Sequence, residues 1–182
     1  AVWMVSPLRA AIAPFALSTS PDAVDAVIGD SSQSVRLAAC QSASDADPAQ
    51  WSAIADAVAT RPNLALECAP SLNPGLVDAV ADRWATALNR PTMDKATACK
   101  LTSNLATLRK GRPDVLTRDL MRCADGSRSE SARQCCEQTF DDAVDPTALL
   151  DVAMPTPKVL ASFIRVQFQP GQPLDEELAG RL

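Results

Sequence analysis

Asn73-Pro74-Gly75-Leu76-Val77-Asp78-Ala79-Val80-Ala81-Asp82-Arg83-Trp84-Ala85-Thr86-Ala87-Leu88 is the most regular stretch of this chain. Val77, Val80, Trp84, Ala87 and Leu88 recur at intervals of one helical turn and form one apolar stripe. Pro74 stands where that helix begins. Proline holds φ near the helical value and lacks an N–H that the first turn leaves unpaired anyway. The asparagine before it can accept a hydrogen bond from the next free amides. The same mark, a polar residue followed by proline, recurs at Ser20-Pro21, Asp47-Pro48, Arg90-Pro91, Arg112-Pro113 and Asp145-Pro146. The prolines read as start signals for a series of short helices.

Composition agrees. The chain has 182 residues, enough for a domain with a real core, and is 47% hydrophobic but only 4% aromatic. Alanine supplies about a fifth of the residues, and it favours helix and lets helix axes approach closely. β-Branched and aromatic runs of the kind that build sheets are nearly absent. The expected fold is all-α, an array of short antiparallel helical hairpins over roughly 21–43, 48–69, 74–108 and 113–140. Within it Trp51 shares a face with Ile54 and Val58, and both Trp51 and Trp84 should be buried. Thr92 is expected to cap the helix carrying Ala98, Leu101, Leu105 and Leu108. One short strand is expected at Ser162–Gln169, where Ile164, Val166 and Phe168 alternate. The organisation is then an apolar N-terminal segment (1–20), a helical-hairpin domain (21–151) and an extended C-terminal arm (152–182).

Two hairpins share a local pattern. Ile28-Gly29-Asp30-Ser31-Ser32-Gln33-Ser34-Val35-Arg36-Leu37-Ala38-Ala39 parallels Ala124-Asp125-Gly126-Ser127-Arg128-Ser129-Glu130-Ser131-Ala132-Arg133-Gln134-Cys135-Cys136. Each has a Gly/Asp turn, a serine-rich helix start, and an arginine followed by small apolar residues. The pattern resembles the turn and second helix of HEAT-like and armadillo-type α-helical repeats, over about residues 21–140. The resemblance implies an α-solenoid, in which each hairpin buries its apolar face only by stacking on the next. It also implies that Arg36 and Arg133 link adjacent hairpins. An irregular helical bundle using similar turns is the other architecture open to this sequence.

The six cysteines are Cys40, Cys68, Cys99, Cys123, Cys135 and Cys136. No Cys-x-x-Cys occurs and the chain has no histidine, so the common zinc spacings and the thioredoxin motif are missing. An even count suggests three disulfides and an oxidising compartment. Hairpin geometry favours Cys40–Cys68, Cys123–Cys135 and Cys99–Cys136. Without histidine the commonest general base is also gone, and of the carboxylates at Asp78/Asp82, Asp141-Asp142 and Asp175–Glu177 none has calcium-loop spacing. Asp78 and Asp82 read as a solvated helix face and Asp175–Glu177 as the acidic start of a terminal helix turn. No catalytic residue, cofactor or metal site is expected.

Charge is uneven. The net charge is −5, yet residues 94–133 hold nine basic and five acidic side chains, a net of +4. An acidic chain is a poor nucleic-acid binder, which needs a basic surface. The basic middle could instead dock an acidic partner through Arg109, Arg112, Arg118 and Arg122. Only Arg9 is charged before Asp22. The opening reads in one of two ways. Either a signal or a membrane tether lies upstream of Ala1, or the segment is a buried first helix interrupted by Pro7 and Pro14. The expectation is therefore a non-enzymatic protein-binding or scaffolding domain, periplasmic or secreted. The alternative is a secreted, disulfide-braced helical protein that binds an apolar small molecule.

Overall fold

The structure, a computed structural model, describes residues 6–143. The chain is all-α. Its helices are α1 (Ser6–Leu17), α2 (Pro21–Ile28), α3 (Gln33–Ala43), α4 (Trp51–Ala59), α5 (Pro62–Cys68), α6 (Pro74–Ala87), α7 (Lys95–Leu108), α8 (Pro113–Gly126) and α9 (Glu130–Ala143). Single 3-10 turns at Pro48–Gln50 and Ala69–Ser71 precede α4 and follow α5. The expected strand at 162–169, the start at Pro146 and the arm 152–182 lie outside the described residues.

Proline does open helices here. Pro21, Pro62 and Pro113 sit in the first turns of α2, α5 and α8, and Pro48 opens the turn into α4. The second limb of the hairpin expected over 48–69 is thus the helix α5. Ser20 Oγ accepts from Ala23 N–H at 3.2 Å, and Asp47 Oδ1 from Ala49 N–H at 2.9 Å. At the start of α6, Asn73 Oδ1 accepts from Leu76 N–H at 2.9 Å while its amide donates to Ser44 O at 3.1 Å. Pro14 does not interrupt α1, which continues to Leu17 with the ring exposed.

Pro91 is the exception. Residues 90–94 are not helical, and α7 begins at Lys95, capped by Asp94 rather than Thr92. Two carbonyls around Pro91 are engaged elsewhere: Ser127 Oγ donates to Leu88 O at 2.6 Å and Ser129 Oγ to Met93 O at 3.4 Å. Asp94 Oδ1 accepts from Thr97 N–H at 2.9 Å, and the hydrogen bonds from Thr97 hold its carboxyl below the ordinary value.

The chain divides into two compact units, one ending at Arg83 and the other beginning at Trp84. In the first, the apolar N-terminal segment supplies α1, which lies along α3, and α2 packs on α3 and α4. Arg83 Nε reaches Asp56 Oδ1 at 2.7 Å and ties α6 to α4. In the second unit α9 packs against both α7 and α8. The buried stripe of α6 runs through Leu76, Val80, Ala81 and Trp84 and on to Leu88, one residue round from the expected line, leaving Val77 half-buried. Trp51 is also only half-buried. Its ring lies on the first turn of α6, where a Cβ on Gly75 would come within 2.5 Å of it, and its Nε1–H donates to Ala46 O at 3.0 Å. A helix start without a side chain at that position is what lets the indole approach.

The two similar turns share a tertiary device. Arg36 Nη1 donates to Asp30 O at 2.8 Å, and Arg133 Nη1 donates to Ser127 O at 3.2 Å. In each case the second helix of a hairpin reaches back six residues to its own turn. The arginines therefore close their own hairpins rather than joining neighbouring ones. Charge-assisted bonds to a carbonyl are stronger than neutral ones, and they fix the angle at which the second helix leaves.

Two consequences are measurable. Trp84 is 2% exposed, so Trp84→Ala should cost about 3–5 kcal/mol in denaturant unfolding. Because the Asp94 carboxyl is lowered in the folded state, its contribution is present above the unfolded value near ~3.9 and is lost as pH falls through the folded value. Asp94→Asn keeps an acceptor but cannot titrate. Its melting temperature should therefore converge on that of the wild type as pH drops below about 4.

Candidate functional site

The basic segment folds into two sets of cations with different surroundings. Arg118 and Arg122 lie one turn apart on α8, both exposed, and neither forms an ion pair with the described residues. The helical i, i+4 position of Asp114 relative to Arg118 is therefore not used for a salt bridge. Leu116 and Leu120, on the other side of the same helix, are buried. α8 thus turns its leucines inward and presents two guanidinium groups outward, flanked by exposed Arg112 before it and exposed Arg128 after it.

Arg109 does not belong to this face. It is 3% exposed at the C-terminal end of α7, with its Nε 3.4 Å from Oδ2 of Asp119, which is 8% exposed on α8. The pair bridges two helices from inside. Asp119 falls three residues after Leu116 and one before Leu120, on the buried side of α8, so a carboxylate there needs a cation within the core. The expectation that Arg109 binds a partner is corrected: it is an internal counter-ion.

All six cysteines are bridged, as Cys40–Cys68, Cys99–Cys135 and Cys123–Cys136. The first pairing is the expected one, and the other two exchange the expected partners of Cys135 and Cys136. The reason is rotational. α8 continues three residues past Cys123 to Gly126, and adjacent residues on α9 point about 100° apart. Cys136 therefore faces α8, with Cα atoms 6.0 Å apart, and Cys135 faces α7, with Cα atoms 4.9 Å apart. Three intrachain disulfides mark a chain that matures in an oxidising, extracytoplasmic environment.

An open groove of about 670 Å³ runs between α7 and α9, floored by Cys99 and Cys135 and lined by Ser103, Thr107, Gln138 and Thr139. A second cleft, about 450 Å³, lies in the first unit beside Arg36, Arg61 and Glu67. There Arg61 Nη1 donates to Asp25 Oδ1 at 2.8 Å, which lowers the Asp25 carboxyl. Sequence periodicity does not single out one further surface. Leu8, Ile12 and Phe15 share the outer face of α1, Phe15 with 74% of its surface exposed. The i, i+4, i+7 spacing is visible in the sequence, but both faces of α1 are apolar there, and only packing shows which one α3 covers.

Among the described residues no helix is long and apolar enough to cross a membrane, and no group of three metal-ligating side chains occurs. In comparisons with family models, curated proteins and solved structures, nothing matches this chain.

The internal pair carries a sharp expectation. Asp119→Ala takes away the carboxylate that faces buried Arg109 and should cost about 3–5 kcal/mol in urea unfolding. The double change Arg109→Met with Asp119→Leu should recover most of that loss, because two apolar side chains of similar volume leave no buried charge. A double variant as unstable as the single one would show that the ion pair itself is required.

Proposed function

We propose that this chain is a non-enzymatic protein-binding or scaffolding domain working outside the cytoplasm, and that it docks an acidic partner on the outer face of α8. The observation that supports this most directly is the exposure of Arg118 and Arg122, without ion pairs among the described residues, on a helix whose inner face is committed to the core. Cations not used within the fold attract opposite charge and set the rate and orientation of encounter more than stability. The surrounding chain is acidic, with a net charge of −5, so the basic face stands out as a local feature.

We also propose that the architecture is of the HEAT-like helical-repeat kind. What supports this is the recurrence itself: the two hairpins alike in sequence have alike turns, each with an arginine of the second helix bonded to the carbonyl six residues back, although the arginines do not join neighbouring hairpins. A helical repeat offers its exposed helix faces as binding surface, in keeping with the docking role. The reading as a carrier of an apolar molecule calls for an enclosed apolar cavity. The described grooves are open and have mixed linings, so the protein-binding reading is preferred.

The test is a charge reversal. Arg118→Glu with Arg122→Glu should abolish capture of the partner from an extracytoplasmic extract while leaving helicity and melting temperature nearly unchanged, since exposed charges contribute about 0–1 kcal/mol to folding. Capture by the wild type should weaken as salt rises from low to physiological strength, where the screening length shortens to about 8 Å. Equal capture by the double variant would remove α8 from the binding surface.

A further inference from the structure

The three bridges differ in access. Cys40 and Cys68 are fully buried, and so, to within 2%, are Cys123 and Cys136. Cys99 is only half-buried, and with Cys135 it forms the floor of the groove between α7 and α9. Thiol–disulfide exchange needs a thiolate to approach one sulfur along the S–S axis, so the bridge whose cysteines line an open groove is the one within reach. Of its two cysteines, Cys135 is 1% exposed and Cys99 half-buried, so the approach is to Cys99.

We infer that Cys99 is a thiolation site, at which a small peptide-like thiol opens the Cys99–Cys135 bridge and leaves the other two intact. The groove, about 670 Å³, is of the size that takes a small ligand. Ser103, Thr107, Gln138 and Thr139 line it with hydroxyl and amide groups, and Lys110 contributes a cation. These side chains suit a thiol that carries amides and a carboxylate. In the first step the incoming thiolate bonds to Cys99 Sγ, and the Cys99–Cys135 bond breaks with its electron pair going to Cys135, which takes a proton from water. A second thiolate then attacks the mixed disulfide, forming the thiol's own disulfide and releasing Cys99 as a thiolate. Two thiols are oxidised and one protein bridge is reduced. The effect is local: α7 loses its covalent tie to α9, while α8 and α9 stay joined through Cys123–Cys136.

The experiment uses the native, fully oxidised protein with reduced glutathione as the probe. Samples are quenched in acid over time, alkylated and mapped by mass spectrometry. The Cys99–Cys135 bridge should open at least about tenfold faster than either other bridge, with the glutathione adduct on Cys99. Ser103→Trp, at an exposed position of α7 that lines the groove, should slow that opening by about tenfold and leave the rates of the other two unchanged. Opening of all three bridges together, or of Cys40–Cys68 or Cys123–Cys136 first, would overturn the inference. So would an adduct on Cys135, or a Ser103→Trp variant that reacts as fast as the wild type.

Discussion

The described helices are short, seven to fourteen residues, so the fold is dominated by helix ends. Every end leaves amides or carbonyls without intrahelical partners, and once buried each needs a hydrogen bond. Much of the structure is a response to that constraint. Amides at helix starts are taken up by Ser20, Asp47, Asn73 and Asp94, or made unnecessary by proline. Carbonyls in the turns are taken up by arginines, Arg36 at one hairpin and Arg133 at another. Serines in the 127–129 turn satisfy carbonyls at Leu88 and Met93, and Ser129 Oγ then accepts from the Ala132 amide in the first turn of α9. Those bonds let a turn with Ser127 and Ser129 almost fully buried exist at all.

This is also why the fold is legible in the sequence and the fine register is not. Proline and its polar neighbour are local signals, and they mark the starts of α2, α6 and α8 correctly. Pro91 carries the same signal, but the carbonyls at Leu88 and Met93 belong to bonds made from residues some forty positions away. Nothing local could announce them. The stripe of α6 and the cysteine pairing each depart from expectation by one residue. One residue on a helix is a rotation of about 100°, enough to exchange Leu76 for Val77 or Cys136 for Cys135. Periodicity finds that a helix has an inner face, and neighbours decide where its centre lies.

The arginines illustrate the same limit for the candidate site. Arg109, Arg112, Arg118 and Arg122 form one basic run in sequence, yet the fold sends Arg109 inward and Arg118 and Arg122 outward. The clue lies in Asp119. It sits between Leu116 and Leu120 on the buried side of α8, and a carboxylate at that position requires a cation inside. An apolar stripe containing one acid therefore implies that some nearby base is structural, and this lowers the charge left for binding. On α8 there remains a pair of guanidinium groups one turn apart, with an acid at either end of the helix in Asp114 and Asp125. Such a surface selects for position as well as sign, because a partner carboxylate gains only where it avoids those two acids.

The distribution of the covalent braces follows from the interior they hold. Among the described residues, the buried polar side chains fall between Thr102 and Ser129, with Arg109 and Asp119 among them. That interior belongs to the second unit, which also holds two of the three disulfides. The first unit, whose buried side chains are apolar, has one. Polar groups in a core offset less conformational entropy than apolar ones, even when satisfied, and a unit of this size has little surplus. A disulfide acts mainly by restricting the unfolded chain, so it adds stability without adding apolar volume. Placing both bridges on adjacent residues of α9 couples the two helices that carry Arg109 and Asp119 to one common element. The two bridges thus join to α9 the same two helices between which the Arg109–Asp119 pair lies.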